Sequence, residues 1–122
     1  MFYNKLLLLF FLSFAINGYA QQHTNKPVSI IFDSDIGPDY DDVGAITILH
    51  VLEDKGDVKI LATIASNKYE GIAAILNVFN TYYHHPNIPI GVPKGNAVNI
   101  RDNQHWTDTL LKKYPHKIKY ND

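Results

Sequence analysis

Five aspartates lie within the ten residues from 33 to 42, directly after an apolar run. They are Asp33, Asp35, Asp39, Asp41 and Asp42. Carboxylates this close repel one another at neutral pH unless a cation or several hydrogen-bond donors lie among them. Capping of a following helix accounts for one or two of them, at Asp39 or Asp41. Because oxygen ligands suit Ca²⁺ or Mg²⁺ and the chain has no cysteine to favour a softer metal, this acidic segment (residues 33–42) predicts a site for a hard cation.

The patterns around the acidic segment predict alternating strands and helices. The runs 28–32, 57–66 and 88–92 are predicted strands, and 41–55, 71–85 and 106–114 are predicted helices. Gly56 and Pro86 end the first two helices. This alternation predicts an α/β fold with an open, mostly parallel, Rossmann-like sheet and flanking helices. Apolar residues on both faces of the second strand indicate a sheet covered on both sides.

Ligands of open parallel sheets bind at the carboxyl ends of the strands. The acidic segment follows the first predicted strand, and Ser66 and Asn67 end or follow the second. We therefore expect these two regions to contribute to the same site.

The first twenty residues have the pattern of a secretory signal peptide. Lys5 precedes an apolar run from 6 to 16, and Gly18 and Ala20 supply small residues for cleavage. A membrane anchor is the alternative, but the run is shorter than the ~20 apolar residues of a spanning helix. We assign 1–20 to a signal peptide, 21–27 to a linker and 28–122 to one domain. The mature chain is expected in the periplasm or outside the cell, without a stable membrane span.

The formal net charge of −1 and the absence of a basic stripe argue against a nucleic-acid partner. The lysines near the C-terminus are predicted to be the solvated flank of a helix; they are Lys112, Lys113, Lys117 and Lys119. The absence of cysteine excludes disulfides and thiol chemistry.

Two known aspartate motifs were compared with the acidic segment. An EF-hand loop beginning at Asp33 is excluded, because Pro38 and Gly44 stand where that loop requires glycine and glutamate. The haloacid-dehalogenase-type phosphatase motif, D-x-D after a strand, fits Asp33 and Asp35. That motif requires a hydroxyl or branched residue where this sequence has Gly37, and it does not account for the other three aspartates. It is the alternative enzymatic hypothesis.

Beyond these patterns, the sequence resembles the inosine-uridine preferring nucleoside hydrolases. The resemblance begins with the strand and "DSDIGPDYDDVGAI", and continues through "ILATIASNKYEGIAAILNVF" and "HHPNIPIGVPKG". It extends from about residue 28 to the end of the chain. The aspartate pattern is specific in combination with the second strand and Asn67.

The resemblance implies an N-glycosidase that cleaves the ribosyl bond of nucleosides or related ribosides with a calcium-bound water. Asp35 resembles the residue that ligates the metal and accepts a proton from the attacking water. Asp42 resembles a second metal ligand, and Asp41 the carboxylate that contacts a ribose hydroxyl. Asn67 resembles the amide that contacts the sugar. The spacer before Asp41 and Asp42 is longer than the compact form of the family, so Asp39 is the alternative for the ribose contact.

Family members are considerably longer than this chain, so the resemblance predicts a truncated, N-terminal portion of the fold. The remaining ligands and the histidine that assists the leaving base come from segments beyond residue 122. We therefore expect little or no activity from these 122 residues alone, and a full-length form is compatible with a homo-oligomer. The non-enzymatic alternative is an α/β protein that keeps a residual cation site. His84, His85, His105 and His116 are predicted to be structural.

Overall fold

The computed structural model describes residues 26–121. The predicted signal peptide, most of the predicted linker and residue 122 lie outside this range. Six elements follow one another: β1 (Val28–Ser34), α1 (Asp41–Asp54), β2 (Val58–Ala65), α2 (Ile72–Tyr82), β3 (Ile90–Gly91) and α3 (Trp106–Lys113). The predicted order and types of the elements are confirmed. Within the described range, no helix has the length and apolar character that crossing a membrane requires.

The three strands form a parallel sheet in the order β1-β2-β3. β1 and β2 pair along their whole lengths, with one register shift that skips Leu61. β3 has two residues where the sequence predicted five. Pro89 and Pro93 flank it, and a proline has no N–H to donate to a neighbouring strand. This arrangement confirms an α/β fold with a small parallel sheet and flanking helices.

The first two helices pack on the same face of the sheet. α1 and α2 contact each other, and both contact β2. Successive right-handed crossovers between neighbouring strands place their helices on one side, which explains this arrangement. Among the described residues the other face is bare, with Ile31 59% and Leu61 44% exposed. The prediction of a sheet covered on both sides was therefore wrong for this part of the chain.

The core is built around α2, which is buried along most of its length. Its residues Ile72, Ile75 and Leu76 pack with Ile36 from the acidic segment and Ile46 from α1. This cluster lies beneath the carboxyl ends of the strands, so the most tightly packed part of the molecule supports the predicted site.

Both long helices end in the same hydrogen-bonded turn. After α1, the N–H of Gly56 donates to Glu53 O and that of Asp57 donates to Leu52 O. After α2, His84 donates to Thr81 O and His85 donates to Asn80 O. Gly56 has φ +80° and His84 has φ +68°, the left-handed conformation of the Schellman motif. The predicted end of α1 at Gly56 is confirmed; a non-glycine residue takes the same position after α2.

Candidate cation site at the carboxyl ends of the strands

Ser34 connects the end of β1 to the first turn of α1. Its hydroxyl donates to Asp42 Oδ2 at 2.8 Å and accepts the N–H of Ile36 at 3.0 Å. Ser34 is buried and Ile36 is fully buried, so this turn packs against the core. The acidic segment thus leaves the sheet in a defined direction.

Asp42 is the half-buried carboxylate of the group. Burial is the largest cause of its raised pKa; the Ser34 hydrogen bond opposes this effect, and the adjacent Asp35 carboxyl adds to it. Asp35 itself is exposed. The structure therefore brings Asp35 close enough to raise the pKa of Asp42, although six residues separate them.

Asp39 and Asp41 form a second carboxyl pair beside the first. Their mutual hydrogen bond is the largest cause of a raised pKa at Asp39 and of a lowered pKa at Asp41. The charges of Asp35 and Asp42 also raise the pKa of Asp39. Four of the five aspartates are consequently close enough to influence one another. Asp33 is exposed within β1 and is not among the main causes of these pKa shifts.

The tip of the acidic segment is anchored to the first residue of α3. The indole N–H of Trp106 donates to the carbonyl oxygen of Gly37 at 3.0 Å. The ring of Tyr40 lies 5.4 Å from the ring of Trp106, measured between centroids. Gly37 has φ +140°, which side-chain-bearing residues rarely adopt. Glycine at position 37 therefore permits the turn that Trp106 holds.

Asn67 lies beneath the acidic segment and is almost fully buried. A Cβ atom on Gly37 would lie 3.7 Å from Asn67 Nδ2. The Asn67 side chain donates to Ile100 O at 2.7 Å, and its Oδ1 accepts the N–H groups of Tyr69 and Ile100, each at 3.1 Å. An amide has two donors and two acceptor sites, so one N–H of Asn67 has no partner among these bonds. Its location agrees with the predicted site, and its main contacts hold the backbone near residue 100.

The arrangement offers clustered carboxylate oxygens for a hard cation. Asp35 lies close to Asp42, Asp41 begins α1 beside them, and the positive end of the helix dipole points toward the group. No three of these carboxylates, among the described residues, have ligand atoms within 4.8 Å of one another. A cation here would thus complete its shell with water or with oxygens of a bound molecule.

The residues that position the acidic segment were not among the predicted site residues. Ser34 had a local signal, because a serine two residues before a buried N–H often forms such a turn. Trp106 had none, since 69 residues separate it from Gly37. A further group, His50, Glu53 and His85, has ligand atoms that all lie within 4.8 Å of one another. The spacing of His50 and Glu53 on one helix face was visible in the sequence; the approach of His85 was not.

Comparisons of the chain with protein-family models, with curated proteins and with solved structures found no match.

Proposed function

We propose that the acidic segment binds Ca²⁺ together with the ribose of a nucleoside or related riboside, as part of an N-glycosidase of the nucleoside hydrolase type. The observation that carries the proposal is the proximity of Asp35 and Asp42 at the carboxyl end of β1, beside Asp41. Clustered carboxylates bind a divalent cation favourably, because the ion removes the repulsion between their negative charges.

The resemblance to the nucleoside hydrolases implies a different role for each carboxylate. A bound calcium ion would acidify a water molecule next to the sugar. Asp35 is exposed and accepts the proton of that water as its oxygen forms a bond to the anomeric carbon. The base leaves with the electrons of the broken C–N bond and receives a proton from solvent. Asp41 accepts a hydrogen bond from a ribose hydroxyl, and the anionic cluster stabilises the positive charge on the sugar ring.

Binding of Tb³⁺, which prefers the same oxygen ligands as Ca²⁺, tests the cation site. Trp106 is the single tryptophan of the chain and is bonded to Gly37, so ions in the acidic segment should show tryptophan-sensitised luminescence. Asp42→Asn should lower the affinity by about tenfold or more, which corresponds to roughly 1.4 kcal/mol. The matched control Asp33→Asn should change it by less than about twofold, because Asp33 lies apart from the group.

Competition with Ca²⁺ and addition of ribosides complete the test. Ca²⁺ should displace Tb³⁺, and a riboside should raise the affinity for the ion if hydroxyls join its shell. Release of base from inosine, or of p-nitrophenol from its riboside, should require Asp35. Equal loss of Tb³⁺ binding in Asp33→Asn and Asp42→Asn would contradict the proposed ligands. Phosphate release from a phosphoester that depends on Asp33 would favour the phosphatase hypothesis instead.

The hydrogen bonds of Asn67 favour one alternative, a non-catalytic protein that keeps a cation site. Both acceptor sites of Asn67 are used by backbone N–H groups, so a sugar could only receive its remaining N–H. Cation binding that is unaffected by ribosides is the result expected for that alternative.

A further inference from the structure

A second group of metal-binding side chains lies at the far end of α1. His50 and Glu53 occupy the last turns of this helix, three residues apart and on the same face. His85 approaches them from the turn that follows α2. We call these three residues the histidine cluster. The helical rise places it roughly 12–16 Å along α1 from Asp42, so the two groups are separate.

Two atoms of the histidine cluster are buried without a hydrogen-bond partner. They are Nδ1 of His50 and Oε2 of Glu53. His50 is fully buried, and its burial lowers its pKa, so the ring is neutral near pH 7. A buried polar atom without a partner costs free energy, and a bound metal ion would remove that cost.

Hydrogen bonds to neighbouring side chains set the orientation of the His50 ring. Asn80 donates from Nδ2 to Thr63 Oγ1 at 3.1 Å, which leaves its Oδ1 facing His50 Nε2, also at 3.1 Å. Because an amide oxygen only accepts, His50 carries its proton on Nε2. Its Nδ1 lone pair is therefore free, and a hydrogen bond of this kind on the opposite ring nitrogen is typical of histidines that ligate metals.

His85, like His50, has a side-chain oxygen beside its Nε2 and has its Nδ1 on the side of the cluster. Its Nε2 lies 3.0 Å from Asp54 Oδ1, and its Nδ1 lies 3.8 Å from Glu53 Oε2. The left-handed turn at His84 and the bond from His85 N–H to Asn80 O fix the backbone at this position. The third residue, Glu53, accepts the N–H of Ile60 on Oε1, so its Oε2 is the free atom.

We propose that His50, Glu53 and His85 form a zinc site that joins the end of α1 to the turn after α2. Two imidazole nitrogens and one carboxylate oxygen are a known three-ligand set for Zn²⁺, with a fourth position open to water. Ligand atoms around tetrahedral zinc lie about 3.3 Å apart, and the ligand atoms of the three side chains lie within 4.8 Å of one another, so binding of the ion would draw them closer together. The set differs from the all-oxygen ligands of the acidic segment and favours a different metal.

An ion pair alone does not explain the cluster. A protonated His85 between Glu53 and Asp54 would satisfy the two carboxylates. It would leave Nδ1 of the buried His50 without a partner, whereas a metal ion satisfies all three residues. His85 also lines a surface groove with Lys59, Leu61 and Asn87, which gives the ion a route from solvent.

Calorimetric titration of the full chain with Zn²⁺, and visible absorption with Co²⁺ as a probe of coordination, test this site. We expect one ion per chain, and a thermal midpoint that rises with zinc because the ion binds the native state. His85→Gln and Glu53→Gln each remove a metal ligand. Each should therefore lower zinc affinity by more than the roughly 10–100-fold that is typical when a residue hydrogen-bonded to a ligand is removed. Asp54 is hydrogen-bonded to the ligand His85, so Asp54→Ala should lower zinc affinity by about tenfold.

Matched controls separate this site from adventitious binding and from the acidic segment. His84→Gln and His116→Gln should leave zinc affinity unchanged, although His84 is adjacent to His85. Asp42→Asn should also leave zinc affinity unchanged. The zinc proposal and the calcium proposal can therefore be contradicted independently of each other. NMR of the ring nitrogens should show the Nε2–H form of His50 in folded, metal-free protein. Zinc binding that His85→Gln does not weaken, or that His116→Gln weakens equally, would overturn the proposal.

Discussion

At the scale of single residues, Asn67 illustrates how one buried amide can join two segments that are far apart in the sequence. Its side chain pairs with both backbone groups of Ile100 and with the N–H of Tyr69. Asn67→Ala should lower the free energy of unfolding by roughly 2–4 kcal/mol, because two backbone N–H groups and one carbonyl lose their partners. Urea denaturation measures the change.

The matched control for Asn67 is Asn99→Ala, at an exposed position, which should change stability by less than about 0.5 kcal/mol. A loss below ~1 kcal/mol in Asn67→Ala would mean that water replaces these bonds readily. The amide would then be available to a sugar, as the resemblance predicted.

The sequence predicted the proximity of side chains where these residues are close in the chain. The carboxylates of the acidic segment were predicted to act together, and the structure brings four of them together. Ile100, which makes two hydrogen bonds with Asn67, is 33 residues away in sequence, and His85 is 32 residues from Glu53. Contacts of that kind depend on the packing of whole elements, which one sequence pattern does not encode.

At the scale of elements, α1 and α2 end in the same turn but with different residues. His84 takes a left-handed conformation that costs an L-residue with a side chain about 1–2 kcal/mol. His84→Gly should therefore raise the free energy of unfolding by about 1 kcal/mol, and the reverse change Gly56→His should lower it by a similar amount. Urea denaturation of both variants and the parent tests this pair of predictions.

The surroundings of Gly56 make it a clean comparison for His84. A Cβ atom at Gly56 would meet nothing within 4 Å, so the backbone conformation is the main cost of Gly56→His. Destabilisation in His84→Gly would show that the histidine side chain makes contacts worth more than the backbone strain.

The bounds of α1 and β2 and the start of α2 followed from the sequence because local signals fix them, whereas α2 ends three residues before the predicted residue 85, at the turn around His84. Gly56 supplies the left-handed residue, Pro86 cannot continue a helix, and the apolar period distinguishes strands from helices. β3 was overestimated because its apolar residues are interrupted by prolines that limit pairing.

At the scale of the whole molecule, all three strands are covered by helices from one side, and the opposite face exposes Ile31 and Leu61. Patterns along one strand show that both of its faces carry apolar residues, but the side on which each helix packs follows from strand order. That order, β1-β2-β3, is a property of the assembled sheet. The one-sided covering therefore could not be predicted from the apolar pattern of β2.

The last described residue completes the first turn of α2. Gly71 precedes this helix and has no side chain to cap it. Asn121 supplies the missing acceptor, because its Oδ1 receives the N–H of Ala73 at 3.1 Å while its Nδ2 donates to Lys68 O and Tyr69 O. A cap on an N–H of the first helical turn contributes about 1 kcal/mol.

Asn121→Ala should lower the free energy of unfolding by about 1–2 kcal/mol, since it removes the cap and two further hydrogen bonds. It should also speed trypsin cleavage at Lys117 and Lys119, because local opening becomes easier when the segment is held by fewer bonds. The exposed control Asn96→Ala should alter neither quantity.

The backbone of Lys117 is also held by Asn77, whose Oδ1 accepts its N–H at 2.7 Å. Unchanged cleavage in Asn121→Ala with faster cleavage in Asn77→Ala would therefore assign the anchoring of this segment to Asn77 alone.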